Sequence, residues 1–342
     1  MSAGSLAEIA QSMVADYIGL LAIDESNGTC NQRFRAAGIP QNAESRCDYR
    51  QLILTTAGLG ECISGVILYD ETIHQQTADG TPFVELIARA DMLIGIKVDI
   101  GTRPLAACPD ELITEGLDGL GQRLHEYAAM GARFAKWRAV ISIDQGGKST
   151  PSQACISVNA HALARYAALC QEAGLVPVVE PEVLMSGNHS LARCCEVTET
   201  VLQEVFEQLH RQRVSLEAII LKPNMVLPGQ ACKVQNPLDE VANATVQTLL
   251  RVVPAAVPGV AFLSGGQTGF LASDRLNAMH VQFPSLPWAL TFSFGRAIQQ
   301  PALRIWGGKR SNREAAQKAL LQRSRCNKAA LQGNYVLAME AA

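Results

Sequence analysis

The chain has 342 residues, 48% of them apolar and 18% charged, which fits a globular protein and excludes a disordered or fibrous one. A formal charge of −3 leaves no basic stripe for nucleic acid and no polybasic patch for a membrane surface. The opening MSAGSLAEIAQSMV has neither the basic start and apolar core of a secretory signal nor the arginines of a transit peptide, and no apolar run approaches the ~18 residues that span a bilayer.

From the N-terminus onward, a short β-rich run followed by a longer stretch with helical spacing recurs. The runs are IGLLAID (18–24), SGVILY (64–69), IGIKVD (94–99), RFAKWRAV (133–140), LVPVVE (175–180), AIILK (218–222), VAFLS (260–264) and ALTFS (289–293). Each has the apolar, branched character of a strand covered on one or both faces. Between them, SVNAHALARYAALCQEAG is expected to start on Ser157 as its cap and to stop at Gly174. SLARCCEVTETVLQEVFEQLHRQR and NPLDEVANATVQTLLRVV carry apolar residues at three- and four-residue intervals. The polar residues at the strand ends are Asp24, Tyr69, Lys97, Lys136, Glu180, Lys222, Ser264 and Ser293, spaced 28 to 45 residues apart. That spacing fits βαβ units of about thirty residues with insertions. Eight units predict an α/β protein with a (β/α)8 TIM barrel, one domain over residues 1–342, with extra helices before residue 18 and after about 300. An open, doubly wound sheet is the competing topology, because periodicity does not reveal closure.

Ten cysteines at irregular spacings and six unclustered histidines match no zinc pattern. In a chain of this size without an export signal they predict reduced thiols, a cytoplasmic protein and no metal site. Two glycine-rich stretches are decoys. GGKST (146–150) resembles the end of a phosphate-binding loop, but Ser142 stands where the first glycine belongs and Pro151 suits the following helix poorly. GLDGLGQ (116–122) reads as a loop entering a helix rather than a dinucleotide fingerprint.

The chemistry begins with AIILKPNM (218–225), where a greasy strand ends on an ammonium group. Lysine is costly to bury unless paired or neutral, so either Lys222 escapes to solvent or the protein needs an amine in a dry place. In a barrel the strand ends share one mouth. There they would gather Lys97, Lys136 and Lys222 with Asp24, Glu25, Glu180 and Glu182. Three converging ammonium groups and an apolar wall are expected to depress a lysine pKa; reaching ~7–8 from ~10.4 takes about 3–4 kcal/mol. A neutral amine there can attack a ketone and form a Schiff base, an electron sink for breaking the adjacent carbon–carbon bond. Ser264, Gly265 and Gly266 in FLSGGQTG, and Gly295 with Arg296 in FSFGRA, supply two phosphate-binding devices after the last two strands.

Together with LLAIDESNGT, GVILYDET, GIKVDIG, EGLDGLG, FAKWRAV, VPVVEPEVL, LKPNMVLPG, WALTFSFGRA and WGGK, these stretches resemble the class I fructose-1,6-bisphosphate aldolases from about residue 6 to about 335. The resemblance implies a metal-independent lyase without a cofactor, usually a homotetramer, that cleaves fructose 1,6-bisphosphate reversibly to dihydroxyacetone phosphate and glyceraldehyde 3-phosphate. It implies that Lys222 forms the Schiff base, that Glu180 is the acid/base of carbinolamine dehydration with Glu182 beside it, and that Asp24 handles the C4 hydroxyl. It further implies that Lys136, in the same stretch as Arg138, orients these groups by charge, and that Ser264, Gly265, Gly295 and Arg296, close to Ser293, cradle the C1 phosphate. By the same resemblance Lys97 contacts phosphate, and Ser26, Thr29 and Arg33 meet the second phosphate or close over substrate. The family's animal and plant members carry a tail ending in a tyrosine that assists proton exchange. Here Ala342 ends the sequence and Tyr335 is too early to be that residue, so removing the last five residues is expected to change turnover little. A preference for sedoheptulose 1,7-bisphosphate or fructose 1-phosphate, or a catalytically silent barrel that binds partners, are the alternatives.

Overall fold

The computed structural model describes residues 5–108, 110–143 and 150–341. The chain enters through helix α1 (Leu6–Ser12), strand β1 (Gly19–Ala22) and helices α2 (Asn27–Ala36) and α3 (Ala43–Leu54). Next come β2 (Ile63–Leu68), α4 (Asp70–Ile73), α5 (Phe83–Arg89), β3 (Leu93–Lys97), β4 (Gly101–Pro104), β5 (Leu112–Glu115) and α6 (Leu120–Ala129). The middle of the chain contributes β6 (Phe134–Ile141), α7 (Gln153–Glu172), β7 (Val176–Val183), α8 (Leu191–Arg211), β8 (Ile220–Leu221) and α9 (Leu238–Val252). Then follow β9 (Gly259–Phe262), α10 (Gly269–Gln282), β10 (Ala289–Phe294), α11 (Arg296–Trp306) and α12 (Arg313–Leu331).

All eight expected strands form, and they close in the order β1-β10-β9-β8-β7-β6-β3-β2, every pair parallel. Closure rules out the doubly wound alternative. The fold is a (β/α)8 barrel. An antiparallel hairpin of β4 and β5, inserted after β3, escaped the strand reading. Helix α7 also begins earlier than expected. Ser152, not Ser157, is its cap, with a hydroxyl that accepts from the Cys155 N–H at 3.1 Å, while Ser157 lies inside the helix. Gly174, at φ +76°, follows that helix as expected. Gly119 leads into α6, so GLDGLGQ is a loop entering a helix. Of GGKST, only Thr150 lies among the described residues.

Side-chain alternation sorts each strand into two faces. In β6, Ala135, Trp137, Ala139 and Ile141 pack outward into the core shared with the helices, where Trp137 meets Tyr166 at 5.7 Å between ring centroids. Phe134 belongs instead to a separate interior cluster with Leu20, Ile67, Val176, Val178, Ile220 and Ala261. Gly65 and Gly95 make room for its ring: a Cβ on Gly95 would stand 2.2 Å from the Phe134 ring, and one on Gly65 2.8 Å. Ala10 and Met13, at and just past the end of α1, join this interior cluster where the strands begin. The Ser64 hydroxyl donates to the Met13 carbonyl at 2.7 Å and fixes that helix across the barrel floor. The interior is therefore packed at the floor, and the next inward positions along the strands are free for chemistry.

Candidate active site

Two residues past the last inward apolar position, the interior turns charged. Leu20 and Ala22 are succeeded by Asp24, Phe134 by Lys136 and Arg138, Val176 and Val178 by Glu180 and Glu182, and Ile220 by Lys222. Glu180 and Glu182 are strand residues, not a turn; β7 stays in register with β6 through Val183, with Arg138 opposite Glu180. Pro181, opposite Ala139, lies past the last pairing of β7 with β8, at Val179, and does not interrupt the register with β6.

Lys222 does not escape to solvent: it is 3% exposed, as is Lys136, and Glu180 is 4% exposed. Such groups survive burial only in mutual contact. Lys136 Nζ lies 2.7 Å from Asp24 Oδ2 and 3.3 Å from Glu180 Oε2, and Lys222 Nζ lies 3.3 Å from Glu180 Oε1. Lys97 pairs with Asp99 at 2.7 Å. The expectation of mutually repelling ammonium groups is thus corrected, because carboxylates stand against all three: Asp24 and Glu180 at Lys136, the same Glu180 at Lys222, and Asp99 at Lys97. For Lys136 the outcome is opposite to depression. Burial favours its neutral form, but Asp24, Glu180 and Asp99 outweigh that and hold the ammonium well above the ordinary lysine range. Burial likewise works to raise Asp24, and Lys136, then Lys222 and Lys97, overcome it and hold the carboxyl far below the usual range.

Asp24, Thr29, Arg33, Lys136, Arg138, Glu180, Glu182, Lys222, Ser264, Gly265, Ser293, Gly295 and Arg296 line one cavity of about 210 Å3. Lys97 and Ser26 line a neighbouring groove of about 840 Å3 instead, Lys97 side by side with Lys136 in register but turned toward Asp99. Ser26 caps α2, and its hydroxyl accepts from the Thr29 N–H at 3.3 Å. Arg138 is ion-paired with Glu182. Arg33 is ion-paired with Glu25. Among the described residues, Glu180 Oε2 has no hydrogen-bond donor in bonding geometry beyond its ion-pair contact with Lys136, and the buried Ser293 hydroxyl has no partner.

Three residues escaped the sequence reading: Arg50, Gln299 and Asp99. The first two meet Glu25, whose side chain is buried; burial works to raise its carboxyl, but Arg50 and then Arg33 hold it below the ordinary value. Arg50, from α3, reaches Glu25 at 2.8 Å, and Gln299, from α11, donates to it at 2.9 Å. Nothing in the local pattern marks Arg50 or Gln299, since each comes from a helix distant in sequence. Asp99 could have been found, two residues past Lys97 and just beyond the end of β3.

A model of fructose-bisphosphate aldolase class-I matches residues 5–342. The chain belongs to the class-I fructose-bisphosphate aldolase family. It is 53% identical over 336 residues to a probable fructose-bisphosphate aldolase class 1 of Xylella fastidiosa, covering 98% of this chain and 99% of the relative. A cytosolic aldolase of Arabidopsis thaliana is 49% identical over 317 residues, 93% of this chain and 87% of that one. A solved structure of the Plasmodium falciparum fructose-bisphosphate aldolase, in complex with TRAP and a small-molecule inhibitor, superposes with a TM-score of 0.95 at 45% identity, over 98% of this chain and 96% of that one. The protein is accordingly an aldolase, a lyase by reaction class. No described helix is long and apolar enough to cross a membrane.

Proposed function

We propose that this aldolase cleaves fructose 1,6-bisphosphate reversibly through a Schiff base on Lys222. The observation that carries the reading is a buried amine 3.3 Å from a carboxylate whose other oxygen has, among the described residues, only its ion-pair contact with Lys136. Glu180 takes the ammonium proton, and the Lys222 nitrogen attacks the C2 carbonyl. Glu180 then returns a proton to the carbinolamine hydroxyl, which leaves as water. As Asp24 accepts the C4 hydroxyl proton, the C3–C4 bond breaks and its electron pair passes into the iminium to give an enamine. Glyceraldehyde 3-phosphate departs. Protonation at C3 and hydrolysis of the iminium release dihydroxyacetone phosphate. Lys136 stays cationic throughout and keeps Asp24 ionised.

Ser264, Gly265, Gly295 and Arg296 cradle the C1 phosphate with backbone N–H groups and a guanidinium, and Ser293 offers its free hydroxyl nearby. Arg33 and Thr29 meet the second phosphate, with Ser26 and Lys97 on the neighbouring side. One domain carries all of this. A cytosolic homotetramer is the assembly and location that accord with the family and with the Arabidopsis relative. The test is borohydride reduction in the presence of dihydroxyacetone phosphate followed by peptide mass mapping. The expected adduct is on Lys222; labelling of another lysine would overturn the assignment.

A further inference from the structure

Arg323, on α12, touches no part of the catalytic cavity, yet it reaches both helices that leave it. Its Nη2 donates to the Gly269 carbonyl and to Ser273 Oγ, each at 2.8 Å, and its Nε donates to the Ala297 carbonyl at 3.3 Å. Gly269 opens α10 just past Gly266, and Ala297 follows Arg296 in α11. The approach is close: a Cβ on Gly269 would lie 2.6 Å from the Ala297 carbonyl oxygen and 2.9 Å from Arg323 Nε. Only glycine lets two helix starts and a guanidinium meet there.

Arg323 is 4% exposed, and a cation so buried needs a counter-charge. Glu340 is its one ion-pair partner among the described residues, and the Tyr335 hydroxyl donates to the same carboxylate oxygen at 2.8 Å. Glu340 sits in a short helical turn (Leu337–Ala341) fastened to α12 by the Gln322 amide, which donates to the Met339 carbonyl at 2.5 Å. Arg323 and Glu340 also share the wall of a cavity of about 320 Å3 with Gly266 and Arg296, the anion-facing residues of the main site.

We infer that Arg323, neutralised by Glu340, is a positioning residue for the phosphate cradle. It fixes the separation of the two helix starts so that the loop ending at Gly266 and the Gly295–Arg296 step face one anion. The inference rests on the cradle assigned under the proposed function, and it gives residues 335–340 a part in binding rather than in proton exchange. Without the Glu340 charge, the guanidinium turns toward water and releases the Gly269 and Ala297 carbonyls. Loss of residues 338–342 would remove Glu340 with them, so weakened binding is expected alongside the little-changed turnover.

The test uses the full chain with Glu340→Gln, Glu340→Asp and Arg323→Lys. Inorganic phosphate affinity is measured by calorimetry beside KM and kcat for fructose 1,6-bisphosphate and thermal unfolding. Glu340→Gln is expected to weaken phosphate binding and raise KM by about tenfold, the worth of about one hydrogen bond to a charged group, with kcat within about threefold. Glu340→Asp should recover most of the affinity. Unaltered phosphate affinity and KM in Glu340→Gln would overturn the inference, even if the melting temperature falls, since that is what a purely structural pair predicts. Phosphate affinity is read without turnover. A wild-type enzyme that fails to label on Lys222 therefore removes the catalytic reading and leaves this comparison standing.

Discussion

Glu180 holds one carboxylate oxygen 3.3 Å from the Lys222 nitrogen and the other 3.3 Å from that of Lys136. One carboxylate is thus shared between an amine that must lose its proton and an ammonium that must keep it. Lys136 has a second and closer partner in Asp24, at 2.7 Å, so its charge does not depend on Glu180. Glu180→Gln should leave Lys136 paired and the fold intact while lowering kcat by about 10²–10⁴-fold, the usual worth of a positioned acid/base. Pre-steady-state formation of the borohydride-trapped adduct checks this; an unslowed rate would move the proton-transfer role elsewhere.

The Asp24–Lys136 pair sets a pH window. Asp24 is depressed from an ordinary value of 3.8, so its contribution to stability is present above that value and lost as acid protonates it. Lys136 is raised from 10.5, so its contribution is present below that value and lost only as strong alkali strips its proton. Denaturant midpoints of the wild type and Asp24→Asn should therefore differ by a constant amount from about pH 5 to 9, and the gap should narrow below about pH 4. Removing one partner of such a buried pair costs about 3–5 kcal/mol. A gap that changes across neutral pH would show that the pair titrates there.

Arg33 is the cavity's guanidinium whose loss the surroundings can absorb. Glu25 would still hold Arg50 at 2.8 Å and Gln299 at 2.9 Å. Arg33→Gln should raise KM for fructose 1,6-bisphosphate about tenfold or more, as expected for a lost charged hydrogen bond of ~1.5–3 kcal/mol, with little change for fructose 1-phosphate. Equal losses on both ketoses would place Arg33 away from the second phosphate.

Gly95→Ala tests the packed floor below the site. The new methyl would stand 2.2 Å from the Phe134 ring, and overpacking of this kind costs about 1–3 kcal/mol. The urea midpoint should fall, and adding Phe134→Leu should recover part of the loss. A single mutant as stable as the wild type would mean that the interior has slack.

Chelation is the simplest check on the absence of a metal requirement. Among the described residues no three His, Cys, Asp or Glu side chains converge as a ligand set. Cleavage should continue at an undiminished rate in excess chelator, and a loss reversed by zinc would reject the Schiff-base route.

The barrel was legible because inward and outward positions alternate through sequences such as FAKWRAVI, so that Lys136 and Arg138 share a face with Phe134 and not with Trp137. Asp24, Glu180 and Lys222 were legible for the same reason, each standing one inward step beyond an apolar residue. Their mutual pairing was not. A strand pattern gives which face a charge occupies but not which opposite charge on another strand meets it, and so the three lysines read as mutually repelling. Arg50 and Gln299 are harder still, because a lone polar residue on a helix looks the same whether it meets water or Glu25. The β4–β5 hairpin was missed because its strands are short and at most half apolar, with four residues each.

The helix laid across the barrel floor has a kinetic corollary. With Ala10 and Met13 wedged among Leu20, Phe134 and Val176, the lower end is stoppered by hydrocarbon. Among the described residues, that leaves sugar, trioses, water and protons the doorway at the top, where the charged side chains line the cavity. Whatever occupies that threshold governs traffic in both directions at once.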